Sequence, residues 1–385
     1  MEFKERYLDE IAKFSQGIQV GIEKQYNKKS NGLVRFLRIV DYTQGGDDIR
    51  YIDMPSKNHM VSKEDIVMVR YGASAGFIGT GLEGIIANNM FKIEPNEHID
   101  KRFLYYFLTQ KRIKDFLLNK TTASAMPAIN FGMLSEIAVP IIELDTQKKI
   151  VEVLDKAQEL IDKRKEQIEA IDELVKSKFI EMFGDLYNNP KKWRKEKFGE
   201  IVTIERGGSP RPINDYITDD INGVNWIKIG DTSQNSMYIK STKEKIKPEG
   251  IKKSRYVKEG DLLLSNSMSF GRPYILKTDG CIHDGWLVIR DDYNIFNKIY
   301  LCTALGTDAI YAQFKNMAVG GVVNNLNKDM VKELSICIPP IELQNQFADF
   351  INQVDKLKSQ METSLKELED NFNSLMQKAF KGELF

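Results

Sequence analysis

Apolar positions along this chain follow two distinct rhythms, and the alternation between them divides the molecule. Short stretches alternate with period two or run fully apolar for four to six residues, as strands do. Phe36-Leu37-Arg38-Ile39-Val40-Asp41 and Trp226-Ile227-Lys228-Ile229-Gly230-Asp231 are of this kind, each closing on a turn-forming aspartate. Elsewhere, apolar residues recur at steps of four and three with no proline or glycine between them. Ile150, Leu154, Ala157, Ile161, Ile168, Ile171, Val175 and Met182 form one such seam, interrupted at Arg164 and Lys178. Phe347, Ile351, Val354, Met361, Leu365, Leu368, Phe372, Leu375 and Ala379 form another, broken at Lys358. This is the heptad signature of long helices that pack on each other, and the lysine- and glutamate-rich flanks suit solvated faces.

The strand-like stretches recur in a fixed order about two hundred residues apart. Val61-Ser62-Lys63-Glu64-Asp65-Ile66-Val67-Met68 returns as Val257-Lys258-Glu259-Gly260-Asp261-Leu262-Leu263-Leu264. Ile129-Asn130, ahead of Ile137-Ala138-Val139-Pro140-Ile141-Ile142-Glu143-Leu144, returns as Leu326-Asn327 ahead of Ile336-Cys337-Ile338-Pro339-Pro340-Ile341-Glu342-Leu343. Leu154-Asp155-Lys156 and Val354-Asp355-Lys356 then mark the same place in the two helices. A repeat this long signals two whole domains rather than a solenoid. The sequence therefore predicts an α+β protein: a domain over 1–144, a helix over 145–185, a second domain over 186–343 and a second helix over 344–385.

Chain order constrains the geometry. A helix that leaves the first domain and reaches the second is matched by one that starts from the second, so pairing makes them antiparallel. A pseudo-twofold dumbbell is expected. From Ile150 to Met182 the rod would be about 50 Å long, comparable to about 15 base pairs of duplex.

Charge changes the picture little, because 55 lysines and arginines balance 55 aspartates and glutamates. Any affinity for a polyanion must come from local patches. Cys281, Cys302 and Cys337 are three, widely spaced and without a CxxC pair, which argues against a disulfide framework or a zinc knuckle. With no signal-like leader and no membrane-length apolar run, a cytoplasmic protein without membrane contact is expected.

Catalytic signatures are missing. An adenine methyltransferase needs a glycine-rich turn after a strand and an Asn-Pro-Pro-aromatic loop, but Asn188-Asn189-Pro190 continues into Lys191-Lys192-Trp193. No phosphate-binding glycine-lysine-serine loop occurs. His59, His98 and His283 have no metal-ligand spacing, and Asp41 and Asp231 occupy equivalent turns in separate domains.

Donors able to reach base edges or phosphates lie on loops at strand ends. The second domain offers Arg206, Ser209 and Arg211 in a glycine-proline loop, then Asn266, Ser267, Ser269 and Arg272 after a buried strand. Corresponding places in the first domain are the segment Gly17 to Lys29, ending in Lys28 and Lys29, and the segment holding Arg70, Tyr71 and Ser74. The basic clusters Lys191, Lys192, Arg194, Lys195 and Lys197, and Lys243, Lys245, Lys247, Lys252 and Lys253, suit phosphates, although a solvated charge run accounts better for any single one.

The order domain, helix, domain, helix, carried by Trp226–Asp231, by Asp261-Leu262-Leu263-Leu264-Ser265, by Ile338–Leu343 leading into Gln346, and by the ending Ala379-Phe380-Lys381-Gly382-Glu383-Leu384-Phe385, resembles the specificity subunit of type I restriction-modification systems. The resemblance spans essentially the whole chain. The first copy departs from it in carrying Ala138-Val139-Pro140-Ile141 where the second has a proline pair. It implies two target recognition domains that read a bipartite duplex, and helices that set their spacing and dock two methyltransferase subunits. It implies no cofactor on this chain, S-adenosylmethionine on the methyltransferase partner, and ATP with Mg on two restriction and motor subunits where these join. Two readings compete with it: a two-headed scaffold whose heads bind proteins, and a specificity unit of a methylation-only or type II-like system.

Overall fold

The computed structural model describes residues 4–55, 59–121, 128–233, 236–266, 271–318 and 326–384. The chain forms two compact units, Met1–Glu166 with Thr363–Phe385, and Gln167–Glu362.

Unit 1 is built on two four-stranded sheets. One orders its strands Ala12–Gln16, Met90–Pro95, Ile66–Val69, Ile78–Gly79. The other runs Arg50–Asp53, Leu33–Leu37, Gly84–Ile86, Met60–Val61. A separate ribbon pairs Lys4–Tyr7 with Ala138–Ile141. The strand Ile66–Val69 is buried on both faces, which explains its uninterrupted apolar run. Helices Lys101–Thr109 and Lys111–Lys120 cover this core.

Unit 2 repeats the plan strand for strand. Its first sheet runs Thr203–Arg206, Trp286–Arg290, Leu262–Ser265, Pro273–Leu276, and its second Glu244–Ile246, Val224–Ile227, Gly280–Ile282, Arg255–Val257. Even the parallel pair inside the second sheet recurs, Leu33–Leu37 with Gly84–Ile86 and Val224–Ile227 with Gly280–Ile282. The additions are two edge strands, Tyr238–Ile239 on the first sheet and Ile217–Thr218 on the second.

Repeated side-chain devices hold the repeated backbone. The Asp41 carboxylate accepts from the Arg38 backbone N–H at 2.7 Å, and Asp231 accepts from that of Lys228 at 2.8 Å, so both aspartates are turn residues. Gln147 and Gln344 are fully buried one turn into the long helices. The first accepts from Asp100 N–H and donates to the carbonyls of His98 and Ile142; the second accepts from Asn297 N–H and donates to those of Ile295 and Pro339. Each glutamine thereby fastens a helix to the loop ahead of its unit's first core helix.

The long helices run Leu144–Phe183 and Ile341–Lys381. Each stops at a glycine in the left-handed region, Gly184 and Gly382, both at φ 75°, the conformation that ends helices at least cost. In unit 1, Ile150 and Leu154 share a core with Met376, Ala379 and Phe380, and Lys165 pairs with Glu369 at 3.1 Å. In unit 2, Phe179 and Phe183 each lie 5.4 Å from the Phe347 ring, and Lys358 pairs with Asp172 at 2.5 Å. Early residues of one helix meet late residues of the other in both units, so the pairing is antiparallel.

Of the expected seam, Ile150, Leu154, Ile161, Phe347, Ile351 and Val354 are buried, whereas Ile168, Val175, Leu365 and Phe372 are half-buried. A two-helix seam has solvent on both flanks and closes fully only where other elements cover it. Toward its end the first seam departs from the heptad reading. Instead of stepping through Lys178 to Met182, it shifts by one residue to Phe179 and Phe183, because these rings fill the unit 2 core beside Tyr300. Lys358 breaks the second seam because it makes the cross-helix ion pair with Asp172.

Candidate nucleic-acid interface

In unit 2, strand Thr203–Arg206 delivers its last residue to a rim where a glycine is obligatory. A β-carbon on Gly207 would lie 2.1 Å from the His283 carbonyl oxygen. The chain then turns through 208–212 against the 3-10 turn Pro248–Lys253, with Pro210 beside Gly250 and Gly208 beside the Lys253 carbonyl.

Asp284, between strands Gly280–Ile282 and Trp286–Arg290, gathers this rim. Its carboxylate accepts from the Ser209 hydroxyl at 2.8 Å and from an Arg211 terminal nitrogen at 3.3 Å. Its carbonyl accepts from Arg206 Nε at 3.1 Å and Asn266 Nδ2 at 2.9 Å. Burial raises the Asp284 carboxyl, but the Ser209 hydrogen bond, with His283 and Arg206 nearby, holds it below the usual carboxylate range. Four candidates thus converge on one residue. Arg206 and Arg211 are exposed, while Asn266 is buried and pins the loop from beneath.

The neighbouring His283 faces backbone donors from both sides, Gly285 N–H at 2.7 Å from Nδ1 and Ile229 N–H at 3.2 Å from Nε2. Burial, aided by the Lys228 charge, lowers its pKa. Loss of the ring proton suits these donors better than a charged ring, although a neutral imidazole accepts at one nitrogen and satisfies one of the two. Exposed Lys252 and Lys253 continue the positive rim, the latter 4.9 Å above the Tyr216 ring.

Arg272 lies elsewhere. It is exposed and lines a cleft of about 1570 Å³ within unit 2, together with Tyr238, Lys277, Cys302, Thr303 and Asp355. The cleft has a sequence cause, since helix Lys298–Leu305 places Cys302 and Thr303 where the aligned helix of unit 1 has Tyr105 and Tyr106. Those tyrosines fill the corresponding space, with Tyr106 and Arg102 bonded to Asp155. Ser267 and Ser269 lie outside the described residues.

In unit 1, Arg70 stands where Asn266 stands in unit 2. Its N–H bonds the Asn89 carbonyl and its carbonyl receives Ile129 N–H, as Asn266 bonds Gly285 and receives Leu326. Its guanidinium lies 4.3 Å from the Tyr71 ring centroid and 4.9 Å from that of Phe91, and its Nε donates to no acceptor among the described residues. Ser74 closes the 3-10 turn Gly72–Ser74, and its carbonyl receives Phe77 N–H. Lys28 and Lys29 are exposed on the loop after Tyr26, and no bond among the described residues ties them to Arg70.

Asp284 escaped the sequence reading. An acid beside a basic loop reads as a solvated turn, and only the alignment of the repeats marks its position as a rim. Among the described residues, no cluster of histidine, cysteine or acidic groups could hold a metal ion, and no helix is long and apolar enough to cross a membrane.

The model of the type I restriction modification DNA specificity domain matches residues 1–171 and 190–370. The chain belongs to this family. It is a two-domain DNA-specificity subunit, one matched segment falling in each repeat, and the two-headed protein scaffold is not favoured. Among similar proteins is the type I restriction enzyme MjaVIII specificity subunit of Methanocaldococcus jannaschii, 23% identical, with 85% of this chain and 82% of the relative covered. The EcoBI specificity subunit of Escherichia coli is 22% identical, with 98% and 85% covered. Among solved structures, a chain studied for complex assembly and conformational transition of the type I R-M system superposes with TM-score 0.62 at 19% identity, covering 99% of this chain and 98% of the other. The S subunit from M. genitalium superposes with TM-score 0.54 at 14% identity, covering 98% and 96%.

Proposed function

We propose that this specificity subunit reads a bipartite duplex target, one half per unit, and performs no chemistry itself. Two methyltransferase subunits carrying S-adenosylmethionine dock on it, and restriction subunits using ATP and Mg join through them. Work on chromosomal DNA places the complex in the cytoplasm. The observation that carries this reading is the duplicated scaffold that ends in loops of different chemistry. Sequence readout by interchangeable heads needs a constant frame and variable rims.

The test is a gel shift with the partner methyltransferase present, on duplexes carrying the methylated motif of the source genome. Binding should weaken steeply with salt, each neutralised phosphate contributing about 0.9 to the log-log slope, and should require both halves of a split motif. Salt-insensitive or motif-independent binding would contradict the proposal.

A further inference from the structure

The rim that Asp284 organises in unit 2 has a counterpart in unit 1. Strand Ala12–Gln16 ends where Thr203–Arg206 ends, and the bonds that follow are the same: Gly17 N–H to Met90 and Ile18 N–H to Ile86, against Gly207 N–H to Trp286 and Gly208 N–H to Ile282. A β-carbon on Gly17 would lie 2.2 Å from the Ile86 carbonyl oxygen, as severe a clash as at Gly207. By this register Gln16 corresponds to Arg206, Gln19 to Ser209 and Asn88 to Asp284. The side chains repeat the wiring. Gln16 Nε2 donates to the Asn88 carbonyl at 2.8 Å, as Arg206 Nε donates to that of Asp284, and Asn88 Nδ2 reaches Gln19 Oε1 at 3.4 Å, as Ser209 reaches the Asp284 carboxylate.

The groups not used within each rim differ between the two units. Gln19 and Asn88 spend one half of each amide on each other, which leaves the amino group of one and the carbonyl group of the other for a ligand. Flipping both amides exchanges which residue supplies which, but the remaining pair is still one donor and one acceptor. Adenine presents the matching pattern in the major groove, an acceptor at N7 beside a donor at N6. In unit 2, exposed Arg206 commits Nε to the Asp284 carbonyl, and its two terminal nitrogens, both donors, make no bond among the described residues. Guanine, with acceptors at O6 and N7, is their match.

We infer that Gln16, Gln19 and Asn88 form the base-reading rim of unit 1, with Gln19 and Asn88 taking an adenine edge at the place where Arg206 of unit 2 takes a guanine. Gln16 is a positioning residue that holds the Asn88 loop. Gln16 and Gln19 are exposed and Asn88 is half-exposed, so all three are accessible and replaceable without opening a core. The inference rests on the reading of the protein as a duplex reader.

The test uses the complex of the full chain with its methyltransferase partner and duplexes in which each base pair of the motif is varied in turn. In Gln19→Ala and Asn88→Leu, discrimination at one adenine-containing pair of one half-site should fall on the order of ten- to a hundredfold, and the other half-site should be unchanged. Gln19→Glu keeps the shape but cannot donate in place of the amide, and should lower the same discrimination with an unaltered melting temperature. Arg206→Ala should act on a guanine of the opposite half-site. A uniform loss over all sequences, no loss, or a loss in the half-site that Arg206 governs would overturn the inference. A wild-type complex without sequence preference would instead remove the duplex reading itself, and the inference with it.

Discussion

Unit 1 and unit 2 share a backbone far more closely than they share a surface. Both keep the same sheet orders, the same buried glutamine at the helix start, and the same aspartate turn after the strand at Leu33–Leu37 or Val224–Ile227. They part at the rims, where Gln16, Gln19, Asn88 and Arg70 correspond to Arg206, Ser209, Asp284 and Asn266. They part again beneath the first core helix, where Tyr105 and Tyr106 in unit 1 become Cys302 and Thr303 in unit 2. Groups buried to hold the frame are conserved between the copies because an unpaired buried donor or acceptor is costly. Exposed rim residues such as Gln16, Gln19 and Arg206 carry no such penalty and can diverge, which lets recognition change while the fold does not.

The largest effects should fall on the shared frame and be alike in both units. Gln147→Leu strands the Asp100 N–H and two carbonyls, and Gln344→Leu strands their equivalents. Each should cost about 3 to 5 kcal/mol, read as matched shifts in denaturant midpoint. A large loss in one unit and none in the other would break the equivalence.

Next come the helices, where burial rather than heptad position decides. Phe179→Ala removes a ring packed on Phe183, Tyr300 and Phe347 and should cost about 3 to 4 kcal/mol. Leu365→Ala, on the seam but half-buried, should cost about 1 kcal/mol. Equal losses in thermal unfolding would restore the simple heptad picture.

The Phe179 step shows where the sequence stopped being legible. Periodicity and order alone disclosed the repeat, the strands and the long helices, because burial on one face imposes a period that survives divergence. The shift from Lys178 to Phe179 was hidden, since it depends on rings contributed by Tyr300 and Phe347, far away in sequence. Of the candidate site, Arg206, Ser209 and Arg211 were legible as a cationic loop. Their convergence on Asp284, the burial of Asn266 and the separate cleft at Arg272 were not, because a strand-end loop acquires its neighbours only when the sheets form.

In unit 1 a buried carboxylate links stability to pH. Asp65 accepts from Ser62 N–H and lies 2.7 Å from Lys101 and 3.1 Å from Lys92. Burial raises its carboxyl, yet these partners bring it down to about 2. A carboxyl depressed in the folded state stabilises above its unfolded pKa of about 4, and that contribution, about 2 kcal/mol, is lost as pH falls toward 2. Asp65→Asn should therefore flatten stability between pH 4 and pH 2. An unchanged slope in urea unfolding across that window would show that the lysines do not act through this carboxylate.

The claim that two similar frames read two different half-sites independently is tested most directly by exchange of one frame's contents. With residues before Pro140 replaced by the corresponding domain of a relative, adenine methylation should be mapped across the genome of a host carrying the chain and its methyltransferase. A split motif with one half altered, the other half unchanged and the gap preserved is the expected result. Alteration of both halves, or of neither in an active complex, would contradict it.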